Sequence, residues 1–164
     1  FGLPVTGLRF FTVYGPFGRP DMAVYSFAKS IIEGEYIDLY DDGLLYRDFT
    51  FIDDVVDSII DVLHIPPTVN DLSDMGKGMM GAPSRILNVG SGTPIQIRRM
   101  VKLLEFNLQK SAKIHSISKP IVDMDITHAD VTGLIGLTGN SPKVSIDDGI
   151  SRFCDWFLSY YSDL

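Results

Sequence analysis

One cysteine, three scattered histidines and a shortage of basic residues set the first limits on this chain. Cys154 is alone among 164 residues, so no internal disulfide can form and no thiolate cluster can hold a metal. It lies in a helical pattern beside Trp156 and Phe157, where a buried packing role in a reducing, cytoplasmic setting is expected. His64, His115 and His128 have no second His or Cys at ligand spacing, so no metal is expected. Lys and Arg number 14 against 21 Asp and Glu, for a formal charge of -7. Such a chain lacks the basic surface that non-specific nucleic-acid binding needs. No run approaches the roughly 20 consecutive apolar residues of a membrane span, and no basic segment followed by an apolar one marks a leader. Neither nucleic acid nor membrane is an expected partner. No G-x-x-x-x-G-K-[ST] loop and no G-x-S-x-G elbow occur. The chain opens on Phe1 rather than methionine, so further chain upstream is expected.

What is present reads as α/β. Hydrophobic residues make up 45% and charged residues 21%, enough for one domain with a core. Leu8 to Tyr14 is apolar and aromatic on both faces, the pattern of a strand covered on two sides. After the Gly-Pro-rich run 15–20, Val24, Phe27, Ala28 and Ile31 trace a helical face, with Gly34 placed to stop it. Ile37 to Tyr40 fits a short strand ending at the Asp41-Asp42-Gly43 turn. Ile52, Val55, Val56, Ile59, Ile60 and Leu63 form the clearest helical stripe, opened by Asp53 and Asp54 and ended by Pro66 and Pro67. Residues 65–84 have no period and read as a long loop. Ile86 to Val89 is a second apolar strand. Thr93-Pro94-Ile95-Gln96 has the form of a capping box, predicting a helix from Pro94 with Ile97, Met100, Val101, Leu104 and Leu108 on its inner face. A last helix opens at Ser145, with Asp148 as box partner and Ile146, Ile150, Phe153 and Phe157 inward. Two strongly apolar strands call for a sheet with helices on both faces, and too few strands are visible to complete one.

Gly90-Ser91-Gly92 follows a strand and precedes a helix, as a dinucleotide-binding turn does. The third glycine of that fingerprint is replaced by Ile95, so an ordinary strand-turn-helix connection is expected. The paired acids 41–42, 53–54 and 147–148 fit turns and first helical turns rather than catalytic dyads. Two arginines are placed more tellingly: Arg19 in a loop just after an apolar strand, and Arg47 just ahead of the strongest helix. Loops at strand ends are where α/β proteins bind ligands, and guanidinium suits carboxylate and phosphate. An anion site and a surface ion pair both remain open for them.

The stretch TGLRFFTVYGPFGRPDMA, residues 6–23, resembles a signature of UDP-glucuronate 4-epimerases, members of the extended short-chain dehydrogenase/reductase superfamily. RDFTFIDD at 47–54 and RILNVG at 85–90 are similar to two further signatures of that family. The resemblance implies the carboxy-terminal half of such an enzyme: a partial Rossmann-like sheet, with strands at about 6–14 and 86–90, plus a smaller α/β substrate-binding domain. Residues 1–164 would then be the substrate-binding portion, with the amino-terminal NAD-binding portion absent. It implies NAD as cofactor, a UDP-sugar as substrate and a homodimeric, cytoplasmic parent. In such enzymes NAD takes hydride from C4 of UDP-glucuronate, and the 4-keto intermediate regains it on the other face to give UDP-galacturonate.

The glycine-rich turn and the Tyr-x-x-x-Lys pair of that family lie upstream of the matched region, so no catalytic residue is expected here and the chain alone should be inactive. Tyr25-x-x-x-Lys29 has the spacing but falls on the helix after the GRPDMA loop, where the family has no catalytic pair. By motif position, Thr12 and Arg19 resemble the residues that grip the sugar carboxylate, and Arg47 the arginine on the diphosphate. Tyr40 is similar in position to a neighbour of the uracil ring. Asp123 resembles the aspartate on the ribose hydroxyls, although Ile121-Val122-Asp123-Met124 departs from the family's Pro-Gly-Asp-Val and Asp125 competes for the role. Rival readings are a UDP-glucuronate decarboxylase, a sugar 4,6-dehydratase, or a non-catalytic nucleotide-sugar-binding module.

Overall fold

The computed structural model describes residues 2–68 and 83–162. Most of the long loop expected at 65–84 lies outside the described residues. The chain is a mixture of helices and mainly parallel strand pairs, as the alternation of strand and helix patterns predicts.

The first apolar stretch is two strands rather than one. Strand β1 (Val5–Phe10) pairs in parallel with β6 (Ser84–Val89), whereas β2 (Thr12–Tyr14) turns away to pair in parallel with β5 (Phe49–Phe51). The two halves meet different surroundings. Tyr14 is buried, but Val5 and Phe10 at the ends of β1 are about half exposed, so the cover expected on both faces of this stretch is incomplete. Helix α1 (Ala23–Glu33) follows the GRPDMA loop and ends as foreseen, with Gly34 in the left-handed region. Strand β3 (Tyr36–Tyr40) alternates between exposed and buried positions and places Ile37 and Leu39 in the core. It pairs in parallel with β8 (Lys113–Ile117), whose KIHSI sequence is almost wholly exposed and carries no apolar signal by which to recognise it.

Helix α2 (Ile52–Leu63) forms where its stripe predicts, but of the stripe only Val55 is buried. Val55 and Val62 are buried, with Leu87, Val89 and Leu134, whereas Val56, Ile60 and Leu63 are roughly half to three-quarters exposed. The small layer formed by β1, β6 and helix α4 (Thr132–Thr138) reaches only one edge of α2. The second correction concerns Thr93-Pro94. Ile95–Gln96 is a short strand, β7, paired antiparallel with Tyr46–Arg47, β4. Helix α3 (Ile97–Leu108) therefore starts three residues later than Pro94, without a side-chain cap. Thr93 donates its N–H to the Ser91 hydroxyl instead. Helix α5 (Ile146–Ser162) has the box that α3 lacks: the Asp148 N–H donates to Ser145 Oγ (3.1 Å), and the Ser145 hydroxyl donates back to the Asp148 carboxyl (2.7 Å).

Helices α1, α3 and α5 close over β2, β3 and β5 to form the main core, which includes Ile31, Leu39, Phe51, Met100, Leu104, Ile150, Phe153 and Phe157. Cys154 is buried there, and burial pushes its thiol up to about 12. Gly149 lets α5 lie against β2, since a Cβ there would fall 2.0 Å from the Tyr14 hydroxyl and 3.0 Å from Phe51.

Candidate functional site

Two of the expected site residues meet directly. Arg47 Nη2 donates to Asp123 Oδ1 at 2.6 Å, joining positions 76 residues apart, while Nη1 donates to the carbonyls of Tyr46 and Met124, each at 2.8 Å. The pair is largely sheltered, with the Arg47 side chain 15% exposed and that of Asp123 32%. Asp125, the competing aspartate, points to solvent and pairs with Lys119. The Lys119 ammonium also donates to the Asp123 carbonyl. A guanidinium is thus fixed between a carboxylate and two carbonyls, with the rest of its fork the part able to meet an anion.

Thr12 and Arg19 line a second feature, a small cavity shared with Gly15, Gly18, Met22 and Phe153. Arg19 is exposed, and its fork is taken by Asp21: Nε donates to Oδ1 at 3.0 Å and Nη2 to Oδ2 at 2.6 Å. This pair holds the Asp21 carboxyl below the usual carboxylate range. Tyr40, at the end of β3, makes no hydrogen bond or ion pair with either group among the described residues. Tyr25 has its ring in the aromatic cluster against Phe157 and Trp156, while Lys29 pairs with Glu33 on the surface.

Sequence reasoning missed the residue that organises the region. Asp48 is fully buried between Arg47 and β5. Its carboxyl accepts the N–H of Ser91 (2.7 Å), of Gly92 (3.0 Å) and of Ala129 (3.0 Å), and the Ser91 hydroxyl (2.8 Å). Gly90 is needed for this approach, because a Cβ there would lie 2.2 Å from that of Ala129 and 3.3 Å from both Asp48 oxygens. The glycine turn after β6 thus holds a carboxyl of its own chain. Asp54 does the same elsewhere, accepting the N–H groups of Lys143 and Val144 ahead of α5. The only available signal was an acid in an otherwise apolar strand-helix motif; its partners lie 43 to 90 residues away.

Residues 1–71 match the model of the NAD dependent epimerase/dehydratase family. Over almost its whole length the chain is similar to UDP-glucuronate 4-epimerases. It is 38% identical over 165 residues to a probable UDP-glucuronate 4-epimerase of Rhizobium meliloti, covering 98% of this chain and 48% of that protein. It is 39% identical over 165 residues to UDP-glucuronate 4-epimerase 1 of Arabidopsis thaliana, covering 98% and 38%. Among solved structures it superimposes on UDP-glucuronic acid 4-epimerase from Bacillus cereus in complex with UDP-glucuronic acid and NAD, with a TM-score of 0.80 and 29% identity, over 97% of this chain and 46% of that one. The chain thus spans half or less of the length of these relatives. The Gly90-Ser91-Gly92 turn, which leads from β6 into β7, has the Ser91 and Gly92 amides engaged by Asp48, so these do not fit a dinucleotide's phosphates. No helix of the described residues is long and apolar enough to cross a membrane.

Proposed function

We propose that this chain is the substrate-binding portion of an NAD-dependent enzyme that interconverts UDP-glucuronate and UDP-galacturonate at C4. The observation that carries this reading is the Arg47–Asp123 pair, assembled from two distant segments beside the RDFTFIDD signature. On this reading Arg47 takes the diphosphate and Asp123 the ribose hydroxyls, while Asp125 stays outside with Lys119. Thr12 and Arg19 take the sugar carboxylate, Arg19 releasing Asp21 to do so, and Tyr40 borders the uracil. Strands β1 and β6 belong to an NAD-binding sheet completed by chain outside residues 1–164. The uncovered stripe of α2 and the half-exposed β1 support that division, since such a face is normally packed. The rest of the enzyme supplies the acid–base pair and holds NAD. When bound, the cofactor carries the redox chemistry, and this chain binds and orients the sugar. A homodimeric, cytoplasmic enzyme fits the same reading.

The test compares Arg19→Ala with the parent in the intact enzyme. UDP-glucuronate binding should weaken by about tenfold or more, as for loss of a charge-assisted contact, and UDP-glucose binding much less. Equal losses would remove the carboxylate role. Residues 1–164 alone should show no epimerisation, and measurable turnover by them would overturn the division proposed. A coding frame upstream of Phe1 with a glycine-rich turn and a Tyr-x-x-x-Lys pair would support it.

A further inference from the structure

We infer that Asp48 is a positioning residue for the nucleotide end of the site; the inference rests on the UDP-sugar reading above. Its three polar groups reach three different parts of that site. The carbonyl accepts the N–H of Thr12 at 3.0 Å, which sets the start of β2. The N–H donates to the Thr127 hydroxyl at 3.4 Å, and the carboxyl takes the Ala129 N–H, so both ends of a short run of the Asp123 loop are held. The remaining carboxyl contacts fasten the glycine turn that leads into β7, the strand paired with Arg47 itself.

Strand β4 has only two residues, and the Arg47 side chain is held besides by Asp123 and the carbonyls of Tyr46 and Met124. Two further bonds close the same clamp: the Tyr46 N–H donates to the Asp125 carbonyl (2.8 Å), and the Thr127 N–H donates to the Tyr46 carbonyl (3.1 Å). Segment 125–129 is therefore laid along 46–48, and the Arg47–Asp123 contact sits at one end of that seam. With the carboxyl gone, the buried Ala129 amide and the part-buried Ser91 and Gly92 amides would lose their acceptor, and the seam would be free to open beside Arg47. Substrate contact is not required of Asp48 for any of this. Its action passes through Arg47 and Asp123.

The experiment uses the intact, NAD-loaded enzyme with Asp48→Asn and Ser91→Ala, comparing inhibition by UDP and by uridine alongside kcat, KM and thermal stability. Asp48→Asn keeps the shape and one acceptor, and should weaken UDP by about tenfold or more while uridine changes by less than about threefold. KM for UDP-glucuronate should rise more than kcat falls. Ser91→Ala removes one hydroxyl from the carboxyl and should move the UDP-to-uridine ratio the same way by a smaller factor, which decides the matter if Asp48→Asn fails to fold. A purely structural Asp48 would lower stability and weaken both ligands equally, and that result would overturn the inference. Failure of the unsubstituted enzyme to epimerise UDP-glucuronate would overturn the proposed substrate instead, and the UDP-to-uridine comparison would still report on Asp48.

Discussion

The two apolar clusters of this chain are both built on amphipathic helices and end in different states. In the main cluster α1, α3 and α5 enclose β2, β3 and β5, and Phe153 and Phe157 are no more than 1% exposed. In the smaller one Val55, Val62, Leu87, Val89 and Leu134 are buried, while Leu63, two turns along the same stripe, is 73% exposed. Both helices, α2 and α5, were legible as amphipathic, α2 the more clearly. Periodicity thus reports that a helix has an apolar side, and burial depends on whether another element arrives to cover it. The difference matches the proposed division of labour, with the closed cluster supporting the GRPDMA loop and the open one offering a face to further chain.

The contrast can be broken most forcefully in the closed cluster. Phe153→Ala should cost about 3–5 kcal/mol of unfolding free energy, whereas Leu63→Ser on the open face of α2 should change it by no more than about 0.5 kcal/mol; urea unfolding of both variants measures the gap. A large loss at Leu63 would show that the α2 face is covered in solution.

Gly149→Ala is a subtler challenge to the same core. Helix propensity alone would make it stabilising by about 1 kcal/mol. The contact with Tyr14 predicts the opposite sign, a loss of about 1–3 kcal/mol from overpacking, and a raised midpoint in denaturant would contradict the close approach of α5 to β2.

The smallest effect is a pH dependence. Burial raises the Cys154 thiol from 9.0 to about 12, so between those values the unfolded chain loses a proton that the folded chain keeps. Stability from this group is intact below pH 9 and should fall as pH rises toward 12, with a slope of at most about 1.4 kcal/mol per pH unit. Cys154→Ala should remove that component of the slope, and at neutral pH the native thiol should resist alkylation until the chain unfolds.

Much of the fold was readable because its signals are local. The stripe of α3, the Ser145–Asp148 box and the Gly34 stop each depend on residues within a few positions of one another, and each appears where its pattern places it. The failures share one cause. Thr93-Pro94-Ile95-Gln96 has the letters of a capping box, but Ile95 and Gln96 gain ladder bonds to Arg47 and Tyr46, and a distant strand outweighs a local cap. Strand β8 exists only because β3 offers an edge to it, and α4, with two glycines in seven residues, has little helical propensity of its own. At the candidate site the motif positions of Arg47 and Asp123 were legible, and their contact was not.

The sequence by itself therefore determined the longer amphipathic helices and the apolar strands, the family resemblance, and the side chains able to bind an anion. Tertiary structure decided which apolar faces are closed, that Arg47 meets Asp123 rather than Asp125, and that the carboxyl of Asp48 fills the glycine turn. Those outcomes depend on atoms brought together across tens of residues. Desolvation and hydrogen-bond geometry act only once the chain has folded, and no local pattern encodes them.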